Sequence, residues 1–155
     1  MTANPYSIVP IIHRNAERLG NAPAFRFLSN GEVDGPIDSR SFADLLACVR
    51  AVASALRREG LSGERALLIY PPGLDFVTAF LGCLSAGVIA VPAYPPDIAR
   101  LDRTLPRLRA IARDCQASVM LTSSEIAAAA QSMLPLLPEL ATSRVLVTDE
   151  ISTSE

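Results

Sequence analysis

The residues best placed for chemistry are Tyr70-Pro71-Pro72-Gly73, a break between an apolar run and a helical pattern. A helix that starts behind such a turn can hold a phosphate on its free backbone N–H groups. The rest of a nucleotide site does not accompany it. The glycine spacing of a dinucleotide fingerprint is missing, and Pro92-Ala93-Tyr94 ends the next strand where an acid would meet a ribose. Asp75, in the first helical turn, would repel a phosphate, and no Walker pattern occurs. A turn that closes a strand–helix–strand unit accounts for these residues better than a phosphate cradle does.

Other reactive residue types are scattered. His13 is the only histidine and lies on an amphipathic N-terminal pattern with no acid or thiol beside it, which reads as a surface histidine, not a base. No serine sits in a Gly-x-Ser-x-Gly elbow, and no pair of carboxylates stands on a well-placed loop. Arg100, Arg103 and Arg107 follow helical spacing and form a basic edge. Such a row is a solvated face before it is a site for a phosphate or an acidic protein. Cys48, Cys83 and Cys115 are odd in number, far apart and set in helical patterns. That spacing suits reduced, buried thiols of a cytoplasmic protein, not a disulfide set or a zinc site. All 14 basic residues are arginine. The absence of lysine matters, because many nucleotide-using enzymes place a lysine on the phosphates or on a reacting carboxylate. On residues alone, no catalytic residue and no metal ligand set can be named.

The elements that position these residues follow from periodicity. Ser7 is set to cap a first helix with Ile8, Ile11, Ile12 and Leu19 as its apolar side and Gly20 as its stop. Ala24 to Leu28 predicts a strand, Ser29-Asn30-Gly31 a turn, and Glu32 to Asp38 a weaker returning strand interrupted by Gly35 and Pro36. Ser41 and Asp44 resemble a capping box for a helix whose apolar face runs from Phe42 to Leu56 and which ends at Gly60.

Arg65 to Tyr70 is a buried strand, stopped by Pro71, Pro72 and Gly73. The helix from Leu74 carries a bulky stripe (Leu74, Val77, Phe80, Leu81, Leu84) and a stripe of small residues (Ala79, Gly82, Cys83, Ala86). Both faces are therefore expected to be buried, with the small one close against a sheet. Gly87 caps this helix and Val88 to Val91 is the next strand. A helix from about Leu101 to Cys115 follows, with Pro106 placing its true start near Thr104. Ser118 to Leu121 is a strand, Ser123 or Ser124 caps a helix to about Met133, ended by Pro135, and Arg144 to Val147 is a last strand.

The order βαβαβαβ over residues 63–148 predicts an α/β fold: a mostly parallel sheet with helices on both faces, preceded by a helix, a hairpin and a helix in residues 1–62. Phe76 to Pro96 holds no charge and is long enough to span a bilayer. Gly87, Pro92, Pro95 and Pro96 break it, and no basic cluster flanks it, so no membrane span is expected. With 155 residues, 50% of them hydrophobic, and a net charge of −2, the chain has material for one core and no basic surplus for nucleic acid.

Beyond these readings, the stretch GERALLIYPPGLDFVTAFLGCLSAGVIAVPAYPP, from Gly63 to Pro96, closely resembles the N-terminal region of AMP-forming adenylating enzymes. Within them it looks most like the fatty-acyl-AMP ligases. Arg40-Ser41-Phe42-Ala43-Asp44-Leu45 sits where the family has its first core motif, usually Thr-Tyr before Glu-Leu. Leu84-Ser85-Ala86-Gly87 through Val91-Pro92 matches the second, and Tyr70-Pro71-Pro72-Gly73 and Val91-Pro92-Ala93-Tyr94-Pro95-Pro96 have the acyl-AMP-ligase form.

The resemblance implies activation of a fatty acid by ATP and Mg2+ to an acyl-adenylate, passed on to an acyl carrier protein of polyketide, peptide or lipid assembly. It also implies what is lacking. The family's phosphate loop, its nucleotide motifs and its lysine-bearing C-terminal lobe have no counterpart here, and Thr122-Ser123-Ser124 lacks the glycines to substitute. The chain therefore resembles part of the N-terminal adenylation lobe. Its partners would be the remainder of that domain, and it is expected neither to adenylate nor to bind a cofactor alone. Tyr70, Pro71, Pro72, Tyr94 and Pro95, at strand ends, are the candidates for support around the site. A reading of a different class is a non-catalytic module that complements a separate chain through its uncovered last strand.

Overall fold

The computed structural model describes residues 7–130, 136–141 and 143–153. Helix α1 (Ile8–Leu19), strands β1 (Pro23–Leu28) and β2 (Ile37–Ser41) and helix α2 (Phe42–Arg58) come first. The alternation that follows is β3 (Arg65–Ile69), α3 (Leu74–Ala86), β4 (Ile89–Ala93), α4 (Leu101–Cys115), β5 (Val119–Thr122), α5 (Ser124–Ala130) and β6 (Arg144–Val147). The last four strands form one parallel sheet in the order β4-β3-β5-β6, while β1 and β2 pair antiparallel apart from it.

Strand β3 is the axis of the core because both its neighbours and both its faces are covered. Ala66, Leu67 and Leu68 are each 0% exposed. Side chains alternate across a strand, so Ala66 and Leu68 pack with Val52 and Leu56 of α2 and Ala79 and Cys83 of α3. Leu67 and Ile69 meet Leu108, Ala112 and Cys115 of α4 on the opposite face. A third cluster joins Ile12 of α1 to Leu45 and Val49 of α2 and Leu81 of α3. The sheet thus has helices on both faces, as the element order required.

Helix α3 corrects one expectation. Its small stripe is buried: Ala79, Cys83 and Ala86 join the sheet core, and Gly82 meets α2. Its bulky stripe is only partly so, since Leu74 and Leu81 are buried but Leu84 is 37% exposed. Small residues let two helices and a sheet approach closely, and that closeness turns Leu84 outward. Gly87 closes the helix at φ +74°, its N–H donating to the carbonyls of Cys83 and Leu84.

Other boundaries moved for local reasons. The returning hairpin strand is Ile37–Ser41, not Glu32–Asp38. The connection is held as a loop by Asn30, whose side chain accepts from Glu32 N (3.1 Å) and donates to its carboxylate (3.0 Å), and by Gly35 N bonding Glu32 O. Leu28 then pairs with Ile37. Ser7 precedes α1 but makes no capping bond. Ser41 does cap α2, its Oγ accepting from Asp44 N at 3.1 Å while donating to the Asp44 carboxylate at 2.6 Å.

Pro106 lies well inside α4, which starts at Leu101, not Thr104. Thr104 Oγ donates to the carbonyl of Arg100 at 3.0 Å and accepts from Asp97 N at 3.1 Å, securing the turn ahead of the proline. The strand after α3 continues through Pro92 and Ala93 because β4 is an edge, where a missing N–H is tolerated. The expected continuation of α5 to Met133 and its stop at Pro135 lie outside the described residues.

The connection leading into β6 is strapped to α4 by Glu139. Its carboxylate accepts from Arg109 Nε at 3.0 and 3.1 Å and from Arg113 at 3.0 Å. The Arg109 bonds, first among the causes, hold its pKa down at about 2 from 4.5. A depressed carboxylate pKa stabilises the fold above the unfolded value, and that stabilisation is lost as pH falls from 4.5 through about 2. Urea midpoints of wild type and Glu139→Gln should therefore differ at pH 6 and converge near pH 2. A constant difference over that range would refute the strap.

Candidate functional site

Parallel sheets of this kind build sites beyond the carboxyl ends of their strands. There, after β3 and β4, a cavity of about 420 Å³ opens. The turn Tyr70-Pro71-Pro72-Gly73 lines one part of it and Pro92-Ala93-Tyr94-Pro95 another. All five expected supporting residues, Tyr70, Pro71, Pro72, Tyr94 and Pro95, thus border one space. Their surroundings differ, since Tyr70 is 3% exposed and Tyr94 75%.

Apolar surface comes from Phe76 of α3 and from Leu108 and Ile111 of α4. Arg103 and Arg107 also line the cavity, at its rim, as their exposure shows. Two residues of the arginine row, Arg103 and Arg107, thus border the cavity while staying solvated, and Arg100 does not line it. Among the described residues neither Arg103 nor Arg107 has an ion pair. An apolar interior with cationic groups at its rim suits an apolar body attached to an anion.

Tyr70 is held by a relay of hydroxyls across the ends of three strands. Thr122 Oγ donates to the carbonyl of Ile69 at 2.7 Å, and Thr148 Oγ donates to the carbonyl of Thr122 at 3.3 Å. With its proton so used, Thr148 Oγ accepts from the Tyr70 hydroxyl at 2.8 Å. Burial raises the phenol's pKa well above its ordinary value, so Tyr70 stays a neutral donor. Phe76 packs edge-on against its ring, centroids 6.4 Å apart.

A second, smaller cavity of about 170 Å³ includes Thr148 and Asp149 in its lining, together with Arg40, Asp75 and Thr78. Arg40 pairs with Asp75 at 2.5 Å and donates to Thr78 Oγ at 3.2 Å, so the first-turn acid of α3 is neutralised by β2. Asp149 does what Ser123 and Ser124 were expected to do. Its carboxylate receives Ser124 N at 2.9 Å and Ser124 Oγ at 2.6 Å at the start of α5, while the buried Ser123 Oγ has no partner among the described residues.

Thr148, Asp149 and Phe76 were not legible as site residues. Thr148 has no local signal, because its partners lie 26 and 78 residues away. Among the described residues no three His, Cys, Asp or Glu side chains gather to hold a metal, and no helix is long and apolar enough to cross a membrane.

No thiol lines the larger cavity, and only Cys48 borders the smaller one. Burial pushes Cys83 up to about 12, which leaves essentially no thiolate at neutral pH. With iodoacetamide at pH 8, half-buried Cys48 should be modified first and Cys83 only after unfolding. Early modification of Cys83 in the folded chain would contradict its place under the sheet.

With this geometry in hand, comparison with known proteins is specific. The family described as AMP-binding enzyme matches residues 12–155. A medium-chain-fatty-acid–[acyl-carrier-protein] ligase, JamA of Moorena producens, is 46% identical over 132 residues, covering 84% of this chain and 22% of its own length. A long-chain-fatty-acid–AMP ligase, FadD32 of Mycolicibacterium smegmatis, is 34% identical over 146 residues, covering 94% and 23%. The crystal structure of a fatty acyl-adenylate ligase from L. pneumophila, in complex with acyl adenylate and pyrophosphate, superposes with a TM-score of 0.76 at 27% identity. That match covers 95% of this chain and 24% of the other. The chain thus spans less than a quarter of the length of these relatives. On the family match and the fold together, the chain belongs to the AMP-binding enzyme family, as the motifs of its central stretch had implied.

Proposed function

We propose that this chain is an N-terminal part of a fatty-acyl-AMP ligase. The whole enzyme joins a fatty acid carboxylate to the α-phosphate of ATP, with Mg2+, and passes the acyl group to an acyl carrier protein. A carboxylate is a poor electrophile, and adenylation gives it a good leaving group. The enzyme's task is to align the carboxylate and offset phosphate charge. The observation that carries this reading is the convergence of both family stretches, Tyr70-Pro71-Pro72 and Tyr94-Pro95, on one apolar cavity at the strand ends.

In this reading the cavity is part of the acyl pocket, and the five residues support it. The phosphate loop and the reactive lysine come from the remainder of the adenylation domain, with which this part packs. Nucleic acid is not a partner of a chain with net charge −2 and no basic surplus. Three free cysteines fit a cytoplasmic setting.

The test is ATP–pyrophosphate exchange driven by a fatty acid. The 155-residue chain alone should show none. Grafted in place of the matching segment of a full-length relative, it should restore exchange. Exchange by the chain alone, or a folded graft without exchange, would overturn the reading.

A second reading has one observation in its favour. β6 is an edge strand whose outer side is unpaired within the sheet, and Val145 on it is 47% exposed. A complementing module would use that edge to bind a separate chain. Co-purification of an adenylate-forming partner with the native protein would support it.

A further inference from the structure

The Tyr70–Thr148 hydrogen bond stands between the two cavities: Tyr70 lines the larger one and Thr148 the smaller. The larger cavity is chiefly apolar beyond its arginine rim, whereas the smaller mixes the Arg40–Asp75 pair, Thr78 and Asp149 with Ala51, Val52 and Ile151. The separating pair is rigid for a stated reason. Thr148 is tied to β5 through the Thr122 carbonyl, Thr122 is tied to β3 through the Ile69 carbonyl, and Phe76 packs against the phenol ring. Asp149, next in the chain, anchors the same turn to α5 through Ser124.

We propose that the Tyr70–Thr148 pair is the partition that ends the larger cavity, and so sets the length of apolar chain the cavity accepts. Tyr70 supplies the barrier, and Thr148 is a positioning residue that acts through it. The inference rests on the reading above, in which this cavity belongs to the acyl pocket. It adds a residue pair that determines chain length and a direction in which the pocket can be extended. Removing the ring would join the apolar space to one of mixed character, admitting longer chains.

The experiment uses the graft of this chain into a full-length relative, and measures the affinity of straight-chain alkanoates from eight to eighteen carbons by their displacement of the dye anilinonaphthalene sulfonate. Each buried methylene raises affinity about fourfold, so affinity should climb with length and then level where the chain meets Tyr70. Tyr70→Ala should move the plateau to chains several carbons longer. Thr148→Val should move it in the same direction by less, and Thr148→Ser should restore the wild-type plateau. Tyr70→Phe, which keeps the ring, should resemble Thr148→Val. If Tyr70→Ala does not fold by near-UV circular dichroism, the Thr148→Val and Thr148→Ser pair decides.

A plateau that stays in place in a folded Tyr70→Ala, or in Thr148→Val when that alanine variant does not fold, overturns the partition and leaves the acyl-pocket reading standing. No displacement by any alkanoate in the wild type overturns the placement of the acyl chain in this cavity, and the partition with it.

Discussion

Gly82→Ala should destabilise the fold by about 1–3 kcal/mol, although alanine is the better helix former by about 1 kcal/mol. A Cβ at Gly82 would lie 2.5 Å from Val52 Cγ1 and 2.7 Å from Val52 Cβ. Val52, on α2, is 2% exposed and packed against α3 and the sheet, so it has no free rotamer to retreat into. The strain must move one helix off the other. The companion experiment is a double-mutant cycle with Val52→Ala, which removes the atoms in the way. Urea denaturation should then show Gly82→Ala costing much less in the Val52→Ala background, with a coupling of about 1–3 kcal/mol. A neutral or stabilising Gly82→Ala in the wild-type background would mean the helices do not approach so closely.

Leu68→Ala should cost more, about 2–5 kcal/mol. Leu68 is 0% exposed in the middle strand of the sheet, enclosed by residues of α2, α3 and β5. None of these can collapse into the space without disturbing a second layer. Domains of this size are stable by only about 5–15 kcal/mol, so the variant should lose a large part of its margin. Leu84→Ala is the control. Leu84 has the same side chain on the neighbouring helix but is 37% exposed, and its truncation should cost well under half as much. The comparison separates two descriptions of α3. If its bulky stripe were buried along its whole length, Leu84→Ala would cost nearly as much as truncating Leu68 in the sheet core. If the small stripe is the buried one, only Leu68→Ala has a large effect.

The burial of Leu68 shows where sequence was sufficient, and the exposure of Leu84 where it was not. The apolar run Ala66–Tyr70, stopped by Pro71 and Pro72 and too short for a helix, reads as a buried strand, and only Arg65 at its start faces water. The helix after it, the glycine stop and the next strand follow from period and punctuation alone. Chain order and the handedness of crossovers then dictate a parallel sheet with helices on both faces. These are local signals, each carried by residues within a few positions of one another. The family resemblance was legible for the same reason, since its motifs are short contiguous stretches.

What only the tertiary structure decided depends on partners distant in sequence. Which stripe of α3 is buried is decided by how closely α2 approaches at Val52, 30 positions earlier. Capping of α5 passes from its own serines to Asp149, 25 residues on, because β6 brings that turn beside the helix. The exposed Arg103–Arg107 edge is also the rim of a cavity because β4 and its proline-rich end lie against α4. Tyr70 was legible as a strand-end residue, but its role as a fixed wall was not. That role needs a hydroxyl 78 residues away and two backbone carbonyls on neighbouring strands. Periodicity reports which side of an element avoids water; only the packed chain determines what that side meets.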